Sequence, residues 1–399
     1  GKYYANIAMR TDGSSRLAAG NQWAFFPSGG VAWRISEEEF FGKREWLNSL
    51  KLRASYGAVG NSAIDPYQTI AGLSKYDYLF GEDAGNKFFA YRPSMIPNKD
   101  LGWEISRTAN FGVDFGLWNN RISGYIEGYI TKTSDLLMER TLPFFTGFSK
   151  VWQNIGKTEN KGIELNIQAN TLKTKSFSWE TTVTFARNWN KITELLGGGD
   201  IRNNSWFIGK PLQVHYNYEM IGVWQLGEEK EAQKYGAIPG DIKVKDQNND
   251  GSIGELDKVI LGQKDPKIIA SLLNSFRFGA FDASINLNMN FGSLIHPNTY
   301  ASLITRDGLR WMPSNFKYWT PDNPTNEYTR ADKLSGYDPF AGTGGYMKGD
   351  YIKIQDITLG YDFSKIMPKN WKILRARLYA QVRNLGYIYK ACKNDVSQE

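Results

Sequence analysis

Apolar and polar residues alternate with a period of two in several stretches of this chain. Ile285, Leu287, Met289 and Phe291 fall on one side of such a stretch, and Ser284, Asn286, Asn288 and Asn290 on the other. Ile163, Leu165 and Ile167 alternate with Glu164, Asn166 and Gln168, and Leu378, Ala380 and Val382 with Arg377, Tyr379, Gln381 and Arg383. Successive side chains of a β-strand point to opposite faces, so each stretch reads as a strand with one apolar and one polar face. Eleven strands are predicted, at 2–11, 22–35, 49–58, 104–116, 121–131, 160–169, 177–188, 268–279, 281–291, 351–363 and 374–385. The fold class is all-β.

The connections between these strands alternate in length. Asn119-Asn120, the 170–176 stretch and Gly279-Ala280 are short, and 36–48 and 364–373 are modest. On the other side lie 59–103, 132–159, 189–267 and 292–350, with only 12–21 short. Period-two patterning alone does not separate a soluble sandwich, apolar inside, from a membrane barrel, apolar outside. Long loops gathered at one end argue against a compact sandwich. They suit a transmembrane barrel, with short periplasmic turns and long extracellular loops. The predicted fold is therefore a partial antiparallel transmembrane β-barrel.

Composition supports that choice. Aromatics make up 14% of the 399 residues and there are 40 glycines, yet the mean hydropathy is only -0.47. Strands, many turns and large polar loops produce that combination. No run approaches the roughly 18 apolar residues of a membrane helix. The single cysteine, Cys392, leaves no disulfide framework, and the net charge of +7 is scattered rather than striped, which points away from nucleic acid. The first residues already read as a strand, with no initiator Met and no signal peptide, so the chain is read as part of something larger.

One stretch carries recognisable site chemistry. Asp246, Asn248, Asp250 and Asp257 occupy positions 1, 3, 5 and 12 of a loop, with Gly251 at the sharp turn and Ile253 as an apolar anchor. That spacing, completed by the Ser252 backbone carbonyl, surrounds a hard cation with oxygen, and Ca²⁺ is its usual occupant. Asp257 stands where many such loops carry Glu. The flanks are Gly-rich and strand-like, so a structural calcium clip in a β-protein loop is predicted rather than a helical sensor. The loops also carry Trp206, Tyr216, Tyr218, Trp224, Trp311, Tyr318 and Trp319. Their rings are candidates for stacking on sugar, against the plainer reading of girdle or loop packing. Asp12-Gly13-Ser14-Ser15 reads as a turn. His215 and His296 lie in different loops with no acidic or cysteine partner at ligand spacing, and read as ordinary loop residues.

Several segments, in order along nearly the whole chain, resemble the SusC/RagA-like TonB-dependent outer-membrane transporters. They include Arg10-Thr11-Asp12-Gly13-Ser14-Ser15-Arg16, Phe26-Pro27-Ser28, Leu50-Lys51-Leu52-Arg53-Ala54-Ser55-Tyr56-Gly57 and Asn110-Phe111-Gly112-Val113-Asp114-Phe115-Gly116. Asn160-Lys161-Gly162-Ile163-Glu164-Leu165, Pro239-Gly240-Asp241, Trp319-Thr320-Pro321-Asp322-Asn323-Pro324 and Tyr351-Ile352-Lys353-Ile354-Gln355-Asp356 continue the match. The resemblance implies a piece of a barrel of about 22 strands, here roughly strands 11 to 21, without the plug, the TonB-contacting segment, the early strands or the last strand. It also implies a SusD-like surface lipoprotein as lid, the TonB complex as energy source, outer-membrane lipid around the wall, and an oligosaccharide or peptide as cargo. The alternative is a calcium-ordered surface protein that binds glycan without transport. An enzyme is not expected, since no carboxylate pair stands out for glycoside hydrolysis.

Overall fold

The structure is a computed structural model, and it describes residues 1–42, 44–70, 72–79, 87–297, 317–330, 342–368, 373 and 375–392. One antiparallel sheet of eleven strands dominates it. Its strands are β1 (Tyr3–Gly13), β2 (Trp23–Arg34), β3 (Leu47–Asn61), β4 (Glu104–Leu117), β5 (Ile122–Ser134) and β6 (Lys157–Lys173), continuing with β7 (Phe177–Glu194), β8 (Ile268–Phe278), β9 (Phe281–Phe291), β10 (Tyr351–Asp362) and β11 (Arg377–Lys390). Each strand pairs with its neighbours in sequence, so the sheet is a meander without crossovers. All eleven predicted strands are present. The last is displaced, running to Lys390 rather than 385.

By its contacts the chain divides into two units. One comprises Gly1–Leu212, Ser271–Ser284 and Leu359–Tyr379, and the other Gln213–Ala270, Ile285–Thr358 and Ala380–Glu399. In the first unit, the connections at one end of β1–β7 are 14–22, 62–103 and 135–156. At the other end are 35–46, 118–121 and 174–176. The tight turn between β4 and β5 puts Asn119 and Asn120 at φ 56° and 59°, the left-handed conformation that a short hairpin needs and that Asn tolerates. The long connections are not structureless. Leu73–Leu79 pairs with Lys87–Pro93, and Leu137–Thr141 with Lys150–Asn154.

Register assigns every side chain of β1–β7 to a face. One row across the sheet runs Tyr3, Trp33, Leu52, Val113, Ile126, Leu165, Phe185. The adjacent row runs Ala5, Val31, Ala54, Phe111, Gly128, Ile163, and ends on Arg187, whose guanidinium lies 4.7 Å from the centre of the Trp189 ring. This face is apolar, and it is not covered. Ile7 is 81% exposed, Val31 61%, Phe111 57% and Ile163 47%. The buried apolar residues lie elsewhere: among the described residues, only Phe26 and Ile192 belong to the eleven strands. Leu17, Ile64 and Leu101 form one cluster with Trp103, Leu137 and Trp152, in the connections. Leu136, Met138 and Ile155 form another with Trp206 and Leu212. A sandwich would reverse this, with the apolar rows buried. An apolar face left open, above a polar one, is the membrane-barrel arrangement.

Candidate functional site

The opposite face of β1–β7 is polar throughout its middle. Its rows run Asn6, Gly30, Ser55, Asn110, Tyr129, Gly162, Asn188, and Lys51, Asp114, Tyr125, Asn166, Thr184. Arg53 organises the centre. Its Nε donates to Asp114 Oδ1 at 2.8 Å and its Nη1 sits 2.6 Å from Glu127 Oε2, while Lys51 Nζ lies 3.3 Å from Asp114 Oδ2. A side chain at Gly112 would place its Cβ 2.9 Å from the Arg53 Cζ, so the glycine leaves room for the guanidinium. Two cations facing two carboxylates make a balanced wall that a wet lumen can hydrate. In the second unit the Asn residues of β9 play the same part. Asn286 donates to Asp356 at 3.2 Å, Asn288 to Gln355 at 3.3 Å and Asn290 to the Tyr351 hydroxyl at 2.9 Å.

The calcium-type loop lies between the strands Ile242–Val244 and Lys258–Gln263. Asp246 folds the turn: Oδ1 accepts the Asn249 N–H at 2.7 Å and Oδ2 the Gly251 N–H at 2.8 Å. Gly251 takes φ 83°, which a side chain would strain. Asp250 Oδ1 accepts both the Ser252 hydroxyl, at 2.8 Å, and the Ser252 N–H, at 2.9 Å, and its Oδ2 accepts the Asn248 amide at 2.8 Å. The Ser252 hydroxyl first, and then Asn248, hold the Asp250 carboxyl below the usual carboxylate range. Asp257 is 1% exposed and joins the loop ends, accepting the Gln247 N–H at 2.8 Å and the Gly254 N–H at 2.7 Å. The loop thus has the turn and the oxygen set of a cation site. Its carboxylates are occupied by loop N–H groups, and among the described residues no three His, Cys, Asp or Glu side chains come together as a metal cage. A carboxylate oxygen that accepts one N–H keeps a further lone pair for a cation.

The aromatic candidates separate by burial. Trp224 is 5% exposed, stacked on Tyr235 with centroids 6.0 Å apart and with Lys243 Nζ 4.2 Å above it. Trp319 is 6% exposed and donates its Nε1 to Gln225 Oε1 at 2.9 Å. Those two rings have no open face for a sugar; they hold loops together. Trp206 packs on the Leu136 cluster. Tyr216 and Tyr218, in the strand Val214–Tyr218, are half-buried and keep accessible surface. Trp311 lies outside the described residues.

Burial of Trp319 joins two motifs far apart in sequence. Gly240 N–H donates to the Trp224 carbonyl at 2.7 Å, the Arg330 N–H donates to the Gly240 carbonyl at 2.8 Å, and Arg330 Nε pairs with Asp241 at 2.8 Å. A Cβ at Gly240 would fall 2.6 Å from both Trp319 and Arg330. Pro239-Gly240-Asp241 is therefore the seat on which the 317–330 segment rests. The structure also brings together His215 and His296, with ring centroids 6.4 Å apart and Tyr346 beside both. Nothing in their sequence spacing signals this.

The beta-barrel model of the TonB dependent receptor-like family matches residues 1–385. TonB-dependent receptor P26 of Formosa agariphila is 32% identical over 383 residues, covering 90% of this chain and 38% of that protein. TonB-dependent receptor SusC of Bacteroides thetaiotaomicron is 30% identical over 411 residues, covering 98% of this chain and 39% of its own. The solved RagAB peptide importer in its closed-closed state superposes with a TM-score of 0.78 at 24% identity, over 98% of this chain and 42% of that one. The chain spans about two-fifths of the length of these relatives. Exposed apolar rows, a polar opposite face, a meander of eleven strands and a family match over nearly the whole sequence agree: this chain belongs to the TonB-dependent receptor β-barrel family, is of the SusC/RagA type, and is an outer-membrane protein.

Proposed function

We propose that the chain supplies wall and outer loops to an importer of oligosaccharides or peptides. A SusD-like surface lipoprotein presents the cargo and the TonB complex drives its passage. The observation that supports this reading most is the pairing of an exposed apolar face with a charge-balanced polar face on one set of strands. Such a wall sits in lipid and lines water at once. Its role in this reading is passage. Deleting the gene and measuring uptake of defined glycans and peptides, with and without TonB, tests the reading. Loss of uptake for one cargo class, abolished equally by removing TonB, supports it. Unchanged uptake of every cargo overturns it.

We further propose that Ca²⁺ orders the 189–267 loop through Asp246, Asn248, Asp250, Asp257 and the Ser252 carbonyl. Support comes from the oxygen set, the turn at Gly251 and the clustering of three aspartates in twelve residues, which a cation would relieve. Tyr216 and Tyr218 are the aromatic residues we put forward as cargo contacts, because their surfaces remain accessible.

A further inference from the structure

His215 belongs to the strand Val214–Tyr218, which pairs with Lys258–Gln263. Its Nε2 lies 2.9 Å from the Leu294 carbonyl. His296 Nε2 lies 3.1 Å from the Gly344 carbonyl. A carbonyl can only accept, so each Nε2 carries the proton and each Nδ1 is the basic position. Leu294 and Ile295 pair with Lys348 and Met347, closing the stem of the 292–350 connection. Tyr346 lies 4.3 Å from the His296 ring and 5.1 Å from His215. Asn217, two residues along the same strand, donates to the Tyr346 hydroxyl and to the Gly342 carbonyl, both at 3.1 Å. One edge of a strand in the 189–267 loop therefore grips both arms of the neighbouring stem.

We propose that His215 and His296 form a pH-sensitive clasp, which fastens the stem of the 292–350 connection to the 213–218 segment near neutral pH and loosens when the His215 imidazole is protonated. The groups around His215 decide the sign. Burial is the largest influence and pushes the His215 imidazole below its ordinary range; the Leu294 carbonyl opposes it, while Lys264, just beyond Lys258–Gln263, and His296, just after Leu294–Ile295, add to it, so the net direction is down. The stem adds Lys348 on the strand paired with Leu294. Because burial lowers the folded-state value of His215, the clasp contributes fully above about pH 6.5, the ordinary histidine value, and weakens as pH falls below it.

Hydrogen exchange on the receptor in its outer membrane, at pH 7.5 and 5.5, tests this, with rates corrected for the intrinsic pH dependence of exchange. Peptides spanning 292–296 and 342–348 should exchange up to about tenfold faster at the lower pH, since pH 5.5 lies about one unit below the ordinary histidine value and a proton gained only on opening favours opening by that factor. His215→Gln with His296→Gln keeps an N–H donor at each place and has no proton to gain, so the difference should vanish. Should the double variant fail to assemble, Lys264→Gln serves instead: it removes a charge that disfavours protonation of His215, brings the folded-state imidazole nearer its ordinary value, and should shrink the pH-dependent difference in exchange. Equal corrected rates at both pH values in the unmodified receptor, or a full pH response retained by the double Gln variant, overturn the clasp. The readout is independent of cargo, so it stands or falls apart from the proposed import function.

Discussion

Replacing Gly240 with Ala isolates the junction between the Pro239-Gly240-Asp241 turn and the 317–330 segment. Gly240 has φ 92°, and a side chain forced into left-handed backbone costs about 1–2 kcal/mol. The new Cβ would also stand 2.6 Å from both Trp319 and Arg330. Overpacking of that kind costs about 1–3 kcal/mol, while Ala recovers about 0.4–1 kcal/mol by restricting the unfolded chain. The net local loss is about 1–4.6 kcal/mol, or roughly fivefold to two-thousandfold in the opening equilibrium. Gly236→Ala is the control. It has φ 68° and no atom within 4 Å of its would-be Cβ, so it carries the backbone cost without the clash. Exchange of the Arg330 amide, which donates to the Gly240 carbonyl at 2.8 Å, reports the opening directly, and Trp319 fluorescence should shift toward that of exposed indole. Equal acceleration in the two variants would show that Trp319 and Arg330 do not rest on Gly240, and the seat would be wrong.

Leu165→Lys and Asn166→Lys place the same charge one residue apart at the middle of β6. The first should lower folding stability in vesicles by about 2–4 kcal/mol and the second by little, because only the first faces hydrocarbon; urea titration reads the difference. Asp250→Ala should abolish calcium-dependent heat in calorimetry and raise protease cleavage within 246–257 in the presence of calcium, whereas equal behaviour in calcium and chelator for the unmodified receptor would remove the cation from the account. Tyr216→Ala and Tyr218→Ala should weaken cargo binding by about 1–3 kcal/mol per stacked ring if sugar is the cargo, by analogy with nucleobases stacked on aromatic side chains; unchanged affinity in isothermal titration would return both to packing.

What was legible in the sequence was local. Ile163, Leu165 and Ile167 declare a strand because the period is set by backbone geometry alone, and the paired asparagines at 119–120 declare their turn for the same reason. The direction of the apolar face was not legible from period two; it needed the lengths of the connections, and finally the exposure of Val31, Phe111 and Ile163. The pairing of Val214–Tyr218 with Lys258–Gln263 is not legible in the sequence because the two strands are remote from each other along the chain. Remoteness also explains the aromatic residues. Trp224 and Trp319 look like ligand platforms until Tyr235, Lys243 and Gln225 close over them. His215 and His296 read as ordinary loop residues in sequence because the carbonyls that hold them belong to segments far along the chain.

A spin-label scan along β6 in the outer membrane tests the central claim most directly. Labels placed singly at residues 163 to 168 would be probed by oxygen, which partitions into lipid, and by a water-soluble nickel chelate. Labels replacing Ile163, Leu165 and Ile167 should be relaxed by oxygen, and those replacing Glu164, Asn166 and Gln168 by the chelate, in strict alternation. A uniform response along the strand, or the opposite phase, would contradict an outer-membrane wall with its apolar rows in lipid.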